Sequence, residues 1–201
     1  MIDLNSTSVR WTITLNRPDK ANAINMEMLI RLNEILDEAK QQLKLRSLII
    51  TGNGPVFSAG ADLNAVKLNN ELTTTIHWKT LSDKIAELPC LTIAALNGTL
   101  AGGAFGMALA CDIRLATTET NFFYPVLKNN LLPQPNDIER LVNLAGLSTA
   151  KLILLAGQKL SAKKALDRGL IDLICEQSEL TNNINSLSYT AENTDSISLL
   201  T

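Results

Sequence analysis

Aromatic side chains are scarce in this chain: two tryptophans, two tyrosines and four phenylalanines in 201 residues. Trp11 and Trp78 are too far apart in sequence to suggest the stacking platform that single-stranded nucleic acid requires. Neither sign of charge is in excess. Eighteen basic and 20 acidic residues leave a formal charge of -2, so nothing electrostatic points to nucleic acid or an anionic membrane as partner. Cysteine is limited to Cys90, Cys111 and Cys175, each in an apolar run and none in a C-x-x-C pair. They read as small buried thiols rather than metal ligands, and no metal is expected. No apolar run approaches the roughly 18 residues of a membrane span. The opening MIDLNSTSVRW lacks a basic stretch followed by an apolar one, so no export signal is expected. A reducing, cytoplasmic setting is the expectation.

What is present is 46% apolar residues, enough in a chain of this length to bury a core without disulfide or metal support. Val9 to Leu15 alternates apolar and polar residues and predicts a strand. Asn25 can cap a helix to about Leu43, with apolar residues at helical spacing. The short runs 47–51 and 91–96 read as strands covered on both faces. Helices are predicted over 75–88, 103–110, 137–144 and 148–155, and a strand over 113–116. Ser161 can cap a further short helix that Gly169 ends. The alternation predicts an α/β fold with a mostly parallel sheet. Residues 1–175 form the expected core. From 176 to 201 the chain turns Ser-, Thr- and Asn-rich, which reads as a polar tail or a weak last helix.

Two strand–loop–helix segments carry the chemical argument: SLIITGNGPVFSAGADL over 47–63 and LTIAALNGTLAGGAFGMA over 91–108. In an open parallel sheet ligands collect beyond the carboxyl ends of strands, where both loops must lie. Helix starts present unpaired N–H groups, and small residues let an oxygen approach them. Neither loop has the spacing of a phosphate cradle. On spacing alone, their glycines serve tight helix–strand packing equally well.

Together these segments resemble the crotonase family, the enoyl-CoA hydratase and isomerase proteins. The resemblance rests on LNRPDKANAIN (15–25), FSAGADL (57–63), NGTLAGGAFGMALACDIRLA (97–116) and LSAKKALDRGLID (160–172), in order and in register. It implies a crotonase-type spiral of ββα turns, with the C-terminal helical region shortened here, and homo-oligomers built as trimers or hexamers. It also implies an acyl-CoA substrate, with coenzyme A entering as part of that substrate and no permanently bound cofactor. By that resemblance the N–H groups of Ala61 and Gly103 form an oxyanion hole. Coenzyme A then lies along Ala59, Ala61, Asp62 and Leu63 at its adenine end and along Lys20, Ala21 and Asn22 at its pantetheine and phosphate end.

The departures shape the chemistry. Hydratases of the family carry glutamates where this chain has Gly106 and Val126, and a glycine-rich loop where it reads LLPQPND over 131–137. Adding water across a double bond needs a positioned acid and base, and glycine and valine are neither. Tyr124 is the candidate proton donor; its other reading is a ring in the pocket wall with its hydroxyl on water. If 122–126 is strand-like, positions 124 and 126 share a face. Asp137 reads as a substitute carboxyl or as a helix cap. His77, in a region that by the resemblance covers the acyl pocket, reads as a catalytic residue or as a solvated one. Decarboxylation of a malonyl-type thioester fits these residues, because loss of CO₂ gives the enolate without a base; isomerisation is the other compatible reaction. The alternative is a catalytically degenerate relative that only binds acyl-CoA or oligomerises. A serine hydrolase is disfavoured, since no serine sits in a G-x-S-x-G elbow.

Overall fold

The computed structural model describes residues 1–68 and 71–194. Among these residues, ten strands run in chain order: β1 (Ile2–Ser6), β2 (Arg10–Leu15), β3 (Ser47–Gly52), β4 (Val56–Ser58), β5 (Leu91–Leu96), β6 (Thr99–Ala101), β7 (Ile113–Thr117), β8 (Asn121–Phe123), β9 (Leu160–Ser161) and β10 (Leu173–Cys175). The helices are α1 (Met26–Lys40), α2 (Leu63–Leu68), α3 (Glu71–Thr74), α4 (His77–Ala86), α5 (Phe105–Ala110), α6 (Pro135–Leu154), α7 (Ala162–Asp167) and α8 (Leu180–Glu192). The main sheet has the order β1-β2-β3-β5-β7-β10 and is parallel except for the β1–β2 pair. None of these helices is long and apolar enough to cross a membrane.

The central strands are apolar on both sides because both faces are covered. Leu48, Ile50, Ala94 and Leu96 join the larger core with Leu29, Leu32 and Leu36 of α1 and Trp78, Leu81 and Ile85 of α4. Alternate residues Ile49, Ile93, Ala95 and Leu115 face the other way, against Leu180, Ile184 and Leu187 of α8. So the stretch after 176 is a packed helix rather than a loose tail. Its apolar residues stand at helical spacing but are diluted by Ser and Asn, which hides them from a composition-based reading. Arg10 anchors it, donating to Glu192 at 2.6 and 2.9 Å and to Ser188 at 2.6 Å; Ser47 also contacts Glu192. The remainder of the expected tail, 195–201, lies outside the described residues.

Sequence-predicted caps hold. Asn25 accepts from the Met28 N–H at 2.9 Å, and Ser161 accepts from Lys164. Helix α1 ends at Lys40, so Leu43 is not on its apolar stripe and stands 92% exposed. The two helices expected over 137–155 are one element broken at Gly146, where φ is 79°.

A second, smaller sheet positions the site. Strands β4, β6 and β8 lie side by side in parallel, with β9 antiparallel at the edge. Each of the three parallel strands points its carboxyl end the same way, and each is followed within three residues by a predicted site residue: Ala61, Gly103 and Tyr124.

Candidate active site

The two glycine turns meet without a side chain between them. A Cβ on Gly60 would stand 2.7 Å from the Ala101 carbonyl oxygen and 3.0 Å from the Gly103 nitrogen. At φ +88° Gly60 also holds a backbone conformation that other residues rarely adopt. Ala61 forms an isolated parallel bridge with Ile24. Its two hydrogen bonds, Ile24 N–H to Gly60 O and Asp62 N–H to Ile24 O, belong to the residues flanking Ala61. The N–H of Ala61 itself therefore faces the opposite side. Gly103 is the second residue of a short 3₁₀ turn, Gly102–Ala104, that runs on into α5. The first N–H groups of such a run have no partner inside the helix.

Ala61 and Gly103 line one cavity with Thr73, Trp78, Tyr124, Val126, Leu131, Leu132 and Gln134, of about 40 Å³. That is room for a water molecule or two. A wider hollow of about 610 Å³, bounded by Lys159, Lys164 and Arg168 among others, shares no residue with the cavity. Leu132, 80% exposed, stands at the mouth.

Tyr124 is buried, and its hydroxyl donates to Asp137 Oδ2 at 2.6 Å. The hydroxyl is therefore not on water. Its ring stacks on Phe105, with centroids 5.1 Å apart and planes at 21°. Tyr124 and Val126 do share the cavity wall, but not through strand alternation. β8 ends at Phe123, and a turn closed by Val126 N–H to Tyr124 O at 2.9 Å brings the two together. Asp137 is not a cap: Gln134 holds that position in α6, without a side-chain bond. The carboxyl instead turns inward, and burial pushes it up to about 7, with the Tyr124 bond and Arg140 opposing. Burial also raises the Tyr124 phenol well above its ordinary value, helped by the adjoining Asp137 charge.

The expected coenzyme contacts form one strip. Ala59 N–H donates to Ala21 O at 2.9 Å, and Ser58 Oγ donates to Asn22 O at 2.8 Å, zipping 20–22 to 58–61. Lys20, Ala59 and Leu63 are exposed, and Ala21, Ala61 and Asp62 are half-buried. Asn22 differs. It is fully buried, its Oδ1 accepts from Arg17 N–H at 2.8 Å, and its Nδ2 donates to Asn53 O at 2.9 Å and Val56 O at 2.7 Å. Its side chain is a brace between loops. Replacing it with alanine removes three buried bonds, an expected loss of about 3 kcal/mol and of roughly 6–12 °C in Tm. Calorimetry showing Tm within 2 °C of wild type would mean that the brace carries no energy.

Asp62 turns away from the cavity as well. Its Oδ2 accepts from Arg17 at 2.7 Å and its Oδ1 from Asn64 N–H at 3.0 Å. The Arg17 bond holds its carboxyl below the usual range. His77 begins α4 and is not among the cavity residues; its backbone oxygen accepts from Asn33. Sequence reasoning missed Trp78 as a site residue. Its indole N–H donates to Leu72 O at 2.8 Å, and its ring lies 3.4 Å from where a Gly103 Cβ would be. The only signal was its place on the inward stripe of α4, beside Leu81 and Ile85.

Comparison with known proteins bears on the family and the fold. A sequence profile described as enoyl-CoA hydratase/isomerase matches residues 6–198. The Bacillus subtilis protein YngF is 35% identical over 172 residues, 84% of this chain and 66% of its own length. The ethylmalonyl-CoA decarboxylase of Bos taurus is 32% identical over 173 residues, 84% of this chain and 56% of its own length. Other relatives are named as hydratase or isomerase. A crystal structure of an enoyl-CoA hydratase from Bacillus anthracis superposes with a TM-score of 0.89 at 26% identity, covering 96% of this chain and 77% of that one. The chain thus spans between about half and two thirds of the length of the first two relatives.

Proposed function

Because the chain belongs to the enoyl-CoA hydratase/isomerase family, we propose that it is a cytoplasmic enzyme acting on an acyl-CoA thioester through an enolate. The thioester oxygen sits between the N–H groups of Ala61 and Gly103. One such donor is typically worth about 3–4 kcal/mol at the transition state. The observation that carries the reading is that three adjacent parallel strands deliver Ala61, Gly103 and Tyr124 to one cavity. Coenzyme A enters with the substrate, its adenine end along the strip at 59–63 and its phosphates near the exposed Lys20. No resident cofactor is required. A trimer or pair of trimers is the assembly.

The reaction that best fits the site is decarboxylation of a malonyl-type thioester. The bond from Cα to the carboxylate breaks, CO₂ leaves, and the electron pair becomes an enolate whose oxygen the two amides hold. Tyr124 then supplies the proton to Cα. Isomerisation fits less well and hydration least, since Gly106 and Val126 can act as neither acid nor base and Asp137 stands behind Tyr124. A substrate must displace side chains at the mouth, Leu131 and Leu132 among them, and the narrow cavity favours a short acyl group. That same narrowness favours a second reading, a relative that binds a thioester without turning it over.

Incubation with malonyl-CoA, methylmalonyl-CoA and crotonyl-CoA, followed by mass spectrometry, tests this. Acetyl-CoA and propionyl-CoA should appear from the first two, and crotonyl-CoA should persist. Tight binding without any product supports the second reading. Failure of all three to bind at millimolar concentration sinks both.

A further inference from the structure

Among the described residues Asp137 is the one carboxylate sealed from solvent. No ion pair compensates it, because its neighbour Arg140 pairs with Asp83 of α4 at 3.2 Å. A buried carboxyl without a cation is costly to keep ionised. Space for it is made by a glycine: a Cβ at Gly106 would stand 2.7 Å from Asp137 Oδ1. Its other oxygen holds the Tyr124 hydroxyl, and Phe105 fixes the phenol ring by stacking. Tyr124 lines the cavity beside Ala61 and Gly103, whereas Asp137 stands behind it.

We propose that Tyr124 and Asp137 form a two-member proton relay, in which Asp137 is the positioning residue that decides whether the Tyr124 hydrogen is offered to the cavity. The proposal rests on Tyr124 being the proton donor of the preceding section. An ionised Asp137 accepts the phenol O–H and keeps it turned from the substrate. A protonated Asp137 donates its own O–H to the phenol oxygen and frees the phenol hydrogen to face the cavity. When that hydrogen passes to the enolate carbon, a C–H bond forms and the phenol oxygen takes the Asp137 proton. The carboxylate left behind is then refilled from water, so no oxidant or second reactant is needed.

The groups facing Asp137 are few. Tyr124 meets it from the end of β8, Arg140 lies one turn along its own helix, and Asp83 of α4 reaches it only through Arg140. Helix α5, packed at Gly106, is Phe-Gly-Met-Ala-Leu-Ala and carries no titratable side chain. Burial of the carboxyl, opposed by the Tyr124 bond and Arg140, places the switch at about 7.

Carboxyl ¹³C NMR on aspartate-labelled protein, titrated from pH 4 to 9 without thioester, tests the pairing. One resonance should titrate near neutrality. It should vanish in Asp137→Asn and move to higher pH in Tyr124→Phe, since the phenol bond holds the carboxylate down. A midpoint in the ordinary range near 4, or one that Tyr124→Phe leaves in place or lowers, overturns the relay. This readout needs no turnover, so its failure is separate from failure of the thioester reading. Where malonyl-CoA is turned over, the wild-type rate should fall about tenfold per pH unit above neutrality and stay level in Asp137→Asn. An identical pH profile in the two proteins overturns the relay while leaving Tyr124 as donor.

Discussion

Tyr124→Phe lowers turnover of a malonyl-type thioester roughly 10²- to 10⁴-fold and leaves thioester affinity within a few-fold of wild type, the expected signature of one lost proton transfer. The phenylalanine ring can keep the stack on Phe105, so the cavity wall is preserved and only an oxygen is removed. Ala61 and Gly103, which follow other strands, are untouched. The effect therefore belongs to kcat rather than KM. Steady-state kinetics on both proteins decide the matter, and a phenylalanine variant retaining more than a tenth of the rate rules out Tyr124 as donor. Asp137 loses its donor in this variant and becomes harder to ionise, so its cost to the fold is felt to a higher pH.

The second large effect is on stability and runs opposite to ordinary acid unfolding. Asp137 is held at about 7 in the folded chain against 3.8 ordinarily, so between those values the native state binds a proton that the unfolded chain does not. Stability from this group is fully present below pH 3.8, falls as pH rises, and is lost above about 7. The difference of some three units corresponds to about 4 kcal/mol. Asp62 and Glu192, held below their usual ranges by bonds to Arg17 and Arg10 respectively, act in the other direction at lower pH. Comparing wild type with Asp137→Asn isolates the buried carboxyl. Urea midpoints measured at pH 4 and pH 8 should show wild type losing stability relative to the variant by several kcal/mol. Parallel pH curves for the two proteins would mean that Asp137 is not held neutral by its surroundings.

Much of the fold was legible because local signals and burial agree. The runs SLIIT and LTIAAL are apolar on both faces and could only be central strands, and Asn25 and Ser161 cap where capping chemistry says they should. The two glycine turns were legible too, since Gly60 and Gly102 sit at positive φ in contact with neighbouring backbone. Strand β1, IDLNS, was not, as its polar content fits an edge strand or a loop equally. Helix α8 hid behind its Ser and Asn content. At the site the limit was long-range geometry. Nothing in the sequence near Asp137 says that its carboxyl reaches past its own helix start to Gly106 and Tyr124. The bracing by Asn22 was hidden for the same reason: its three side-chain partners, Arg17, Asn53 and Val56, come together only in the fold.

The division of labour among β4, β6 and β8 has an evolutionary consequence. In the proposed mechanism the carbonyl grip depends on main-chain atoms at the ends of two strands, whereas the proton comes from a side chain at the end of a third. Point substitution can rewrite the third without disturbing the first two, because main-chain donors survive any change that keeps the turns closed. A lineage built this way can drift between reactions, or lose chemistry altogether, and still go on recognising the same class of molecule.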